Sequence, residues 1–114
     1  MSGEQRVILG KIRDYAQSVA EYIHGMDYDA FYNDRKTMHA TAFALQQIGE
    51  LSKLISEETQ AAAPHIRWHG IRGLRNRIVH DYEKIDLPVI WDIVTTDLPG
   101  LLSQINALLK EAAL

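Results

Sequence analysis

The sequence predicts an all-α fold, an antiparallel bundle of four to five helices, and three observations carry that prediction. Apolar residues recur at spacings of three and four along most of the chain. Residues that start and stop helices sit at the ends of those stripes. No run of four or more residues alternates cleanly in β-branched and aromatic types, so strand signals are poor.

The first stripe runs from about Glu4 to His24 through Ile8, Ile12, Tyr15, Val19 and Ile23, and Gly25 offers a stop after it. The second runs from about Asp34 to Ile55 through Met38, Ala42, Leu45, Ile48, Leu51 and Ile55, with Asp34 as N-cap. Ser56 caps a further turn that Pro64 ends. A shorter helix is predicted from about His69 to Tyr82 through Ile71, Leu74, Ile78 and Val79. The last helix takes Asp86 as N-cap and Pro88 in its first turn. Its stripe is Ile90, Ile93 or Val94, Leu98, Leu101, Ile105 and Leu108, and Pro99 falls inside it, so a kink or break is expected near Leu98. Tyr15, Phe43 and Trp91 are expected in the core with the aliphatic residues.

Length and composition bound what such a bundle can be. The chain has 114 residues, which corresponds to one domain, residues 1–114. Hydrophobic residues make up 46% and charged residues 24%, a globular balance that argues against disorder. With no cysteine, a disulfide scaffold, a thiolate metal site and a cysteine nucleophile are excluded. The longest uncharged run, Leu98 to Leu109, falls short of the ~20 residues a membrane span needs. The segment Met1 to Lys11 carries Glu4, Arg6 and Lys11 and has no apolar core, so a signal peptide is not expected. A cytoplasmic protein with no membrane partner is the expectation.

Chemistry concentrates in His65 to Lys84, HIRWHGIRGLRNRIVHDYEK. Five cationic side chains (Arg67, Arg72, Arg75, Arg77, Lys84) stand there against two acids, while the whole chain is net −3. A cationic patch on an acidic protein is a candidate phosphate site. His80, with an ordinary pKa of ~6.5, suits proton transfer near neutrality. Arg75 can hold a phosphate through two hydrogen bonds and stabilise transition-state charge. Asn76 can orient the histidine or a phosphate oxygen. Histidine with arginine and no metal cluster suits transesterification of RNA, in which the ribose 2′-hydroxyl attacks its own phosphate.

On an ideal helix Arg75 and His80 lie ~140° apart. They converge on one ligand only if the helix ends or distorts near Val79, or if two copies face each other across a dimer axis. The dimer is the favoured route, because it gathers two arginines and two histidines around one phosphate. Ordinary readings stand beside these. An arginine-rich helix is usually a solvated face, and Arg77 with Asp81 is an i, i+4 pair. A His65–His69 metal pair lacks a third ligand, so no metal and no cofactor are expected.

Arg75-Asn76-Arg77-Ile78-Val79-His80-Asp81-Tyr82 resembles the R-x4-H-x-Y signature of the HepT-like toxins, within the HEPN superfamily of all-α ribonucleases. Ile48-Gly49-Glu50, Trp68 with Ile71, and Trp91 with Leu98-Pro99 are similar to other parts of that family, so the resemblance covers nearly the whole chain. It implies a HEPN-like bundle forming a homodimer with both motifs in one cleft. The implied activity is metal-independent endoribonuclease cleavage of RNA that inhibits growth. By the same resemblance Arg75 and His80 match the catalytic pair and Asn76 the polar residue after the arginine. Tyr82 matches a tyrosine that a minimal nucleotidyltransferase antitoxin (MntA-like) modifies with AMP. Glu50 pairs with a motif arginine or is a solvated helix residue; Arg72 and Arg77 are further RNA-binding candidates. The alternative to catalysis is a module of the same fold that binds a nucleotide or a partner, and a purely structural dimerisation bundle is the third reading.

Overall fold

Five helices begin on a side chain that accepts from a backbone N–H three residues later. Ser2 opens α1 (Gly3–Tyr22), Asp27 opens α2 (Tyr28–Tyr32) and Asp34 opens α3 (Arg35–Ser52). Ser56 opens α4 (Glu57–Ala62) and Asp86 opens α7 (Leu87–Asp92). Each cap satisfies a donor that the first helical turn leaves without a partner. Between α4 and α7 lie α5 (Trp68–Arg72), α6 (Leu74–Ile78) and two short strands, β1 (Val79–Asp81) and β2 (Lys84–Ile85). A π-helical turn (Ile93–Asp97) then leads from α7 into α8 (Leu98–Ala112). The computed structural model describes the backbone of residues 1–81 and 84–112, and the side chains of these except 79–81, 84 and 112.

The predicted all-α class holds, with more helices than the four to five expected. Three short ones account for the difference in part. The five residues of α2 are too few for a periodicity to register. Tertiary contacts hold them: Phe31 is fully buried and its ring lies 5.2 Å from that of Trp91. The predicted helix from His69 to Tyr82 is instead α5 and α6, separated at Gly73, followed by β1. The chain leaves the helix because the carbonyl of Ile78 accepts from the backbone N–H of Asp86 at 2.7 Å. β1 then pairs antiparallel with β2, Val79 opposite Ile85 and Asp81 opposite Lys84. The β-branched pair Ile78-Val79 suits that exit.

Near Leu98 the expected kink takes the form of the π turn, and the helix does not break. Pro99 has no N–H to give to a carbonyl one turn back. The wider turn just before it absorbs that loss, and Leu98 keeps helical angles (φ −66°, ψ −40°). The Thr95 hydroxyl donates to the Trp91 carbonyl at 2.7 Å within the same turn. Gly25, with φ 77°, sits just past the end of α1 as the stop requires.

The core lies where α1 packs against α3 and α8, and where α3 packs against α5 and α6. Leu9, Ile12 and Val19 meet Leu45, Ile48, Ile78, Ile90 and Ile105 there, all fully buried. Phe43 corrects the expectation for aromatic residues. It is 56% exposed, because α3 turns Ala42 and Leu45 inward and leaves position 43 outside. Its ring stands at 70° to that of Tyr15, with 6.3 Å between centroids. Tyr15 and Trp91 are half-buried at the margin of the core. No described helix is long and apolar enough to cross a membrane.

The Thr37 backbone N–H, and then its hydroxyl, hold the Asp34 carboxyl below its ordinary value of 3.8. A carboxyl lowered in this way adds stability that is complete above the ordinary value and fades as pH falls through the lowered one. The melting temperature followed into acid should therefore fall less in Asp34→Asn than in the wild type. An identical fall in both counts against this cap.

Candidate functional site

The helix that carries the arginine cluster is one turn and a half long, and two buried side chains fix its orientation. Leu74 and Ile78 are four residues apart, 4% and 0% exposed, and face the core. Arg75, Asn76 and Arg77 between them are thereby turned to solvent, and all three are exposed. Burial of those two apolar side chains is worth about 1.5–3 kcal/mol each.

The seat for this helix is α3. Gly49 is buried, and a Cβ there would lie 3.4 Å from the Ile71 carbonyl oxygen and 3.7 Å from the Leu74 Cβ. The missing side chain lets the turn from α5 to α6 rest directly on the α3 backbone. From the other side the Trp68 indole N–H donates to the Ala63 carbonyl at 3.1 Å, which fixes the entry to α5.

The guanidinium groups are deployed differently. The Arg77 Nη2 lies 3.6 Å from an Asp97 carboxylate oxygen on the π turn, and both side chains are about half exposed (45% and 51%). The Arg77–Asp81 pair of the ordinary reading falls on the Asp81 side chain, which lies outside those described. Arg72 is half-buried and its Nη2 donates to the Gln60 Oε1 at 3.5 Å, so it is turned toward α4. Among the described residues Arg75 has neither an ion pair nor a hydrogen bond.

Glu50 directly follows Gly49 of the seat on α3 but pairs with Lys53, at 3.0 Å, in solvent. Of its two readings, the solvated helix residue is the one this geometry matches. The backbone of His80 lies in β1, two residues past the end of α6, and its side chain is outside those described. Tyr82 lies outside the described residues. The ideal-helix relation between Arg75 and His80 therefore lapses, because α6 ends at Ile78. Ending there is the first of the two conditions under which Arg75 and His80 can converge. Among the described residues no three His, Cys, Asp or Glu side chains gather as a metal site.

A family model, Ribonuclease HepT-like, matches residues 12–108, a span that contains the whole motif and its seat on α3. The chain belongs to the HepT-like ribonuclease family. Relatives agree over nearly full length on both sides. A protein of Methanocaldococcus jannaschii named "Putative RNase" is 30% identical over 106 residues, covering 93% of this chain and 88% of that protein. A second of the same name and organism is 32% identical, covering 89% and 93%. A "Probable ribonuclease HepT" of Thermococcus cleftensis is 31% identical, covering 86% and 96%. No solved structure was found to match the chain.

Sequence reasoning reached the exposed arginines of this HepT-like chain but missed the partners that aim them. Gln60 and Asp97 lie 12 and 20 residues from the arginines they meet. Nothing local in the sequence marks either. Gly49 was visible as part of Ile48-Gly49-Glu50, and a glycine inside a strong helical stripe is itself a sign of close backbone approach. Its role predicts a graded response. Gly49→Ala should change stability by no more than about 1 kcal/mol, since helix propensity offsets a tight contact. Gly49→Leu should cost about 1–3 kcal/mol by lifting α5 and α6 off α3, read from chemical denaturation. Equal stability of the two variants would remove the argument for the seat.

Proposed function

We propose that this chain is the toxin of a toxin–antitoxin pair and acts as a metal-independent endoribonuclease. The observation that carries the reading is Arg75. It is exposed and without a partner among the described residues, on a one-turn helix that ends two residues before His80. Membership of the HepT-like ribonuclease family supports the same reaction class. A cation held outward with no internal partner loses nothing on meeting a phosphate.

In the proposed reaction the ribose 2′-oxygen attacks the adjacent phosphorus. The 2′-O–P bond forms, the P–O5′ bond breaks, and a 2′,3′-cyclic phosphate and a 5′-hydroxyl result. His80 takes the proton of the 2′-hydroxyl, and a second imidazole in the cleft, that of the partner copy in a homodimer, returns one to the 5′-oxygen. Arg75 stabilises the charge that gathers on the non-bridging oxygens. Asn76 orients the histidine or a phosphate oxygen, and Arg72 and Arg77 bind neighbouring phosphates along the strand. One such domain spans residues 1–114 and works in the cytoplasm, with no cofactor. Glu50 contributes only through the surface of α3.

A minimal nucleotidyltransferase antitoxin is the proposed partner. The phenol oxygen of Tyr82 attacks the α-phosphorus of ATP, the bond to pyrophosphate breaks, and AMP remains on the tyrosine. That adds bulk and negative charge beside Arg75 and His80, where it competes with the phosphate of RNA.

Arg75→Ala and His80→Ala should each lower cleavage of single-stranded RNA by roughly a hundredfold or more. Circular dichroism should stay unchanged in both, which separates lost catalysis from a lost fold; Arg75 itself is exposed. Full cleavage by either clean variant overturns the catalytic assignment. Binding of a mononucleotide without RNA turnover by the wild type favours the non-catalytic module, which the net charge of −3 supports. Tyr82→Phe should keep cleaving yet escape inhibition and gain no mass when expressed with the antitoxin. Continued inhibition of that variant shows a complex, or another residue, to be the switch.

A further inference from the structure

A groove of about 340 Å³ lies between the turn from α5 to α6 and the start of α8. Its floor is apolar, formed by Ile71, Leu74, Leu98 and Leu101. Cationic side chains, Arg67 and the Asp97-paired Arg77, stand on the α5–α6 side. Gln104 stands on the α8 side, and its amide has no hydrogen bond among the described residues.

Two glycines on opposite walls are the telling feature. Gly70 is in α5 and Gly100 in α8, and neither has a positive φ. A Cβ at Gly100 would meet nothing within 4 Å, and one at Gly70 would meet only the Arg67 Cβ at 3.9 Å. Glycine inside a helix lowers helix stability relative to alanine. Here neither close packing nor backbone conformation requires it. What the two positions share is that a side chain at either would narrow the groove.

We infer that this groove is a base-binding subsite, which takes an unpaired nucleobase of single-stranded RNA adjoining the phosphate held at Arg75. The inference rests on the ribonuclease reading and adds a second contact to it. A base is flat, with two apolar faces and a polar edge. The floor and Arg67 suit the faces, since guanidinium planes stack on bases. The free amide of Gln104 offers one donor and one acceptor side by side to the edge. Leu74 and Arg77, which line the groove, belong to the same five-residue helix as Arg75, so a strand that wraps this helix reaches both places. The volume is at the lower end of the range for small-ligand sites.

The test uses the full chain with His80→Ala, so that bound RNA stays intact. Fluorescence anisotropy compares a single-stranded oligoribonucleotide with a strand of equal length and charge made of abasic positions. The expected result is tighter binding of the base-containing strand by about tenfold. Adding Gly100→Leu should abolish that preference, leave the abasic affinity unchanged, and hold or raise the melting temperature. Gln104→Leu should weaken the preference, and Asn106→Leu, exposed elsewhere on α8, should not.

Equal binding of both strands by the parent overturns the inference. So does a Gly100→Leu variant that retains the preference, which would leave the groove to another occupant such as a protein side chain. The ribonuclease reading is judged separately, by cleavage with the wild type. Base preference without cleavage retains the subsite and rejects the enzyme; cleavage without base preference does the reverse.

Discussion

The burial of Leu74 and Ile78 against α3 is the contact on which the site depends. A helix of five residues has too few internal hydrogen bonds to stand alone. What holds α6 is its apolar edge, and that edge also decides which residues point outward. The same contact needs the α3 backbone to come close, which Gly49 allows. The orientation of Arg75 is thus set from behind it, by two buried side chains and by a side chain that is missing.

Around that anchor the cations are graded by their company. Arg72 leans to Gln60 and Arg77 to Asp97, while Arg75 has no internal partner among the described residues. Half-exposed pairs such as Arg77–Asp97 add little stability. Their effect is on direction, since each holds a long side chain to one wall of the surface. On a protein of net charge −3, attraction of a polyanion then depends on the local cluster and not on the far field of the molecule.

How much of this could be read from the sequence follows from the range of each interaction. Asp34, Ser56 and Asp86 were legible as caps, because a cap joins residues three apart. The long stripes of α1, α3 and α8 were legible because one face of each meets the core. The end of α6 was not, since Ile71, Leu74, Ile78 and Val79 keep helical spacing to the last residue. What ends it is a bond to Asp86, eight residues on. Phe43 misled because residue type was weighed above its place on the helix. In the site, the cluster Arg75-Asn76-Arg77 was plain as charge, whereas the groove needs residues some thirty positions apart and could only emerge with the fold.

The π turn at Ile93–Asp97 also sets a phase. It lets the chain take one residue more per turn than an α-helix does, so everything after it is rotated about the common axis. Winding these same residues as an even α-helix would turn α8 by roughly 100° relative to α7. Ile105 would leave the core, and Asp97, Gly100 and Gln104 would swing away from α6. The wide turn between α7 and α8 therefore works as a gauge: it matches the wall of the groove to the helix that bears Arg75.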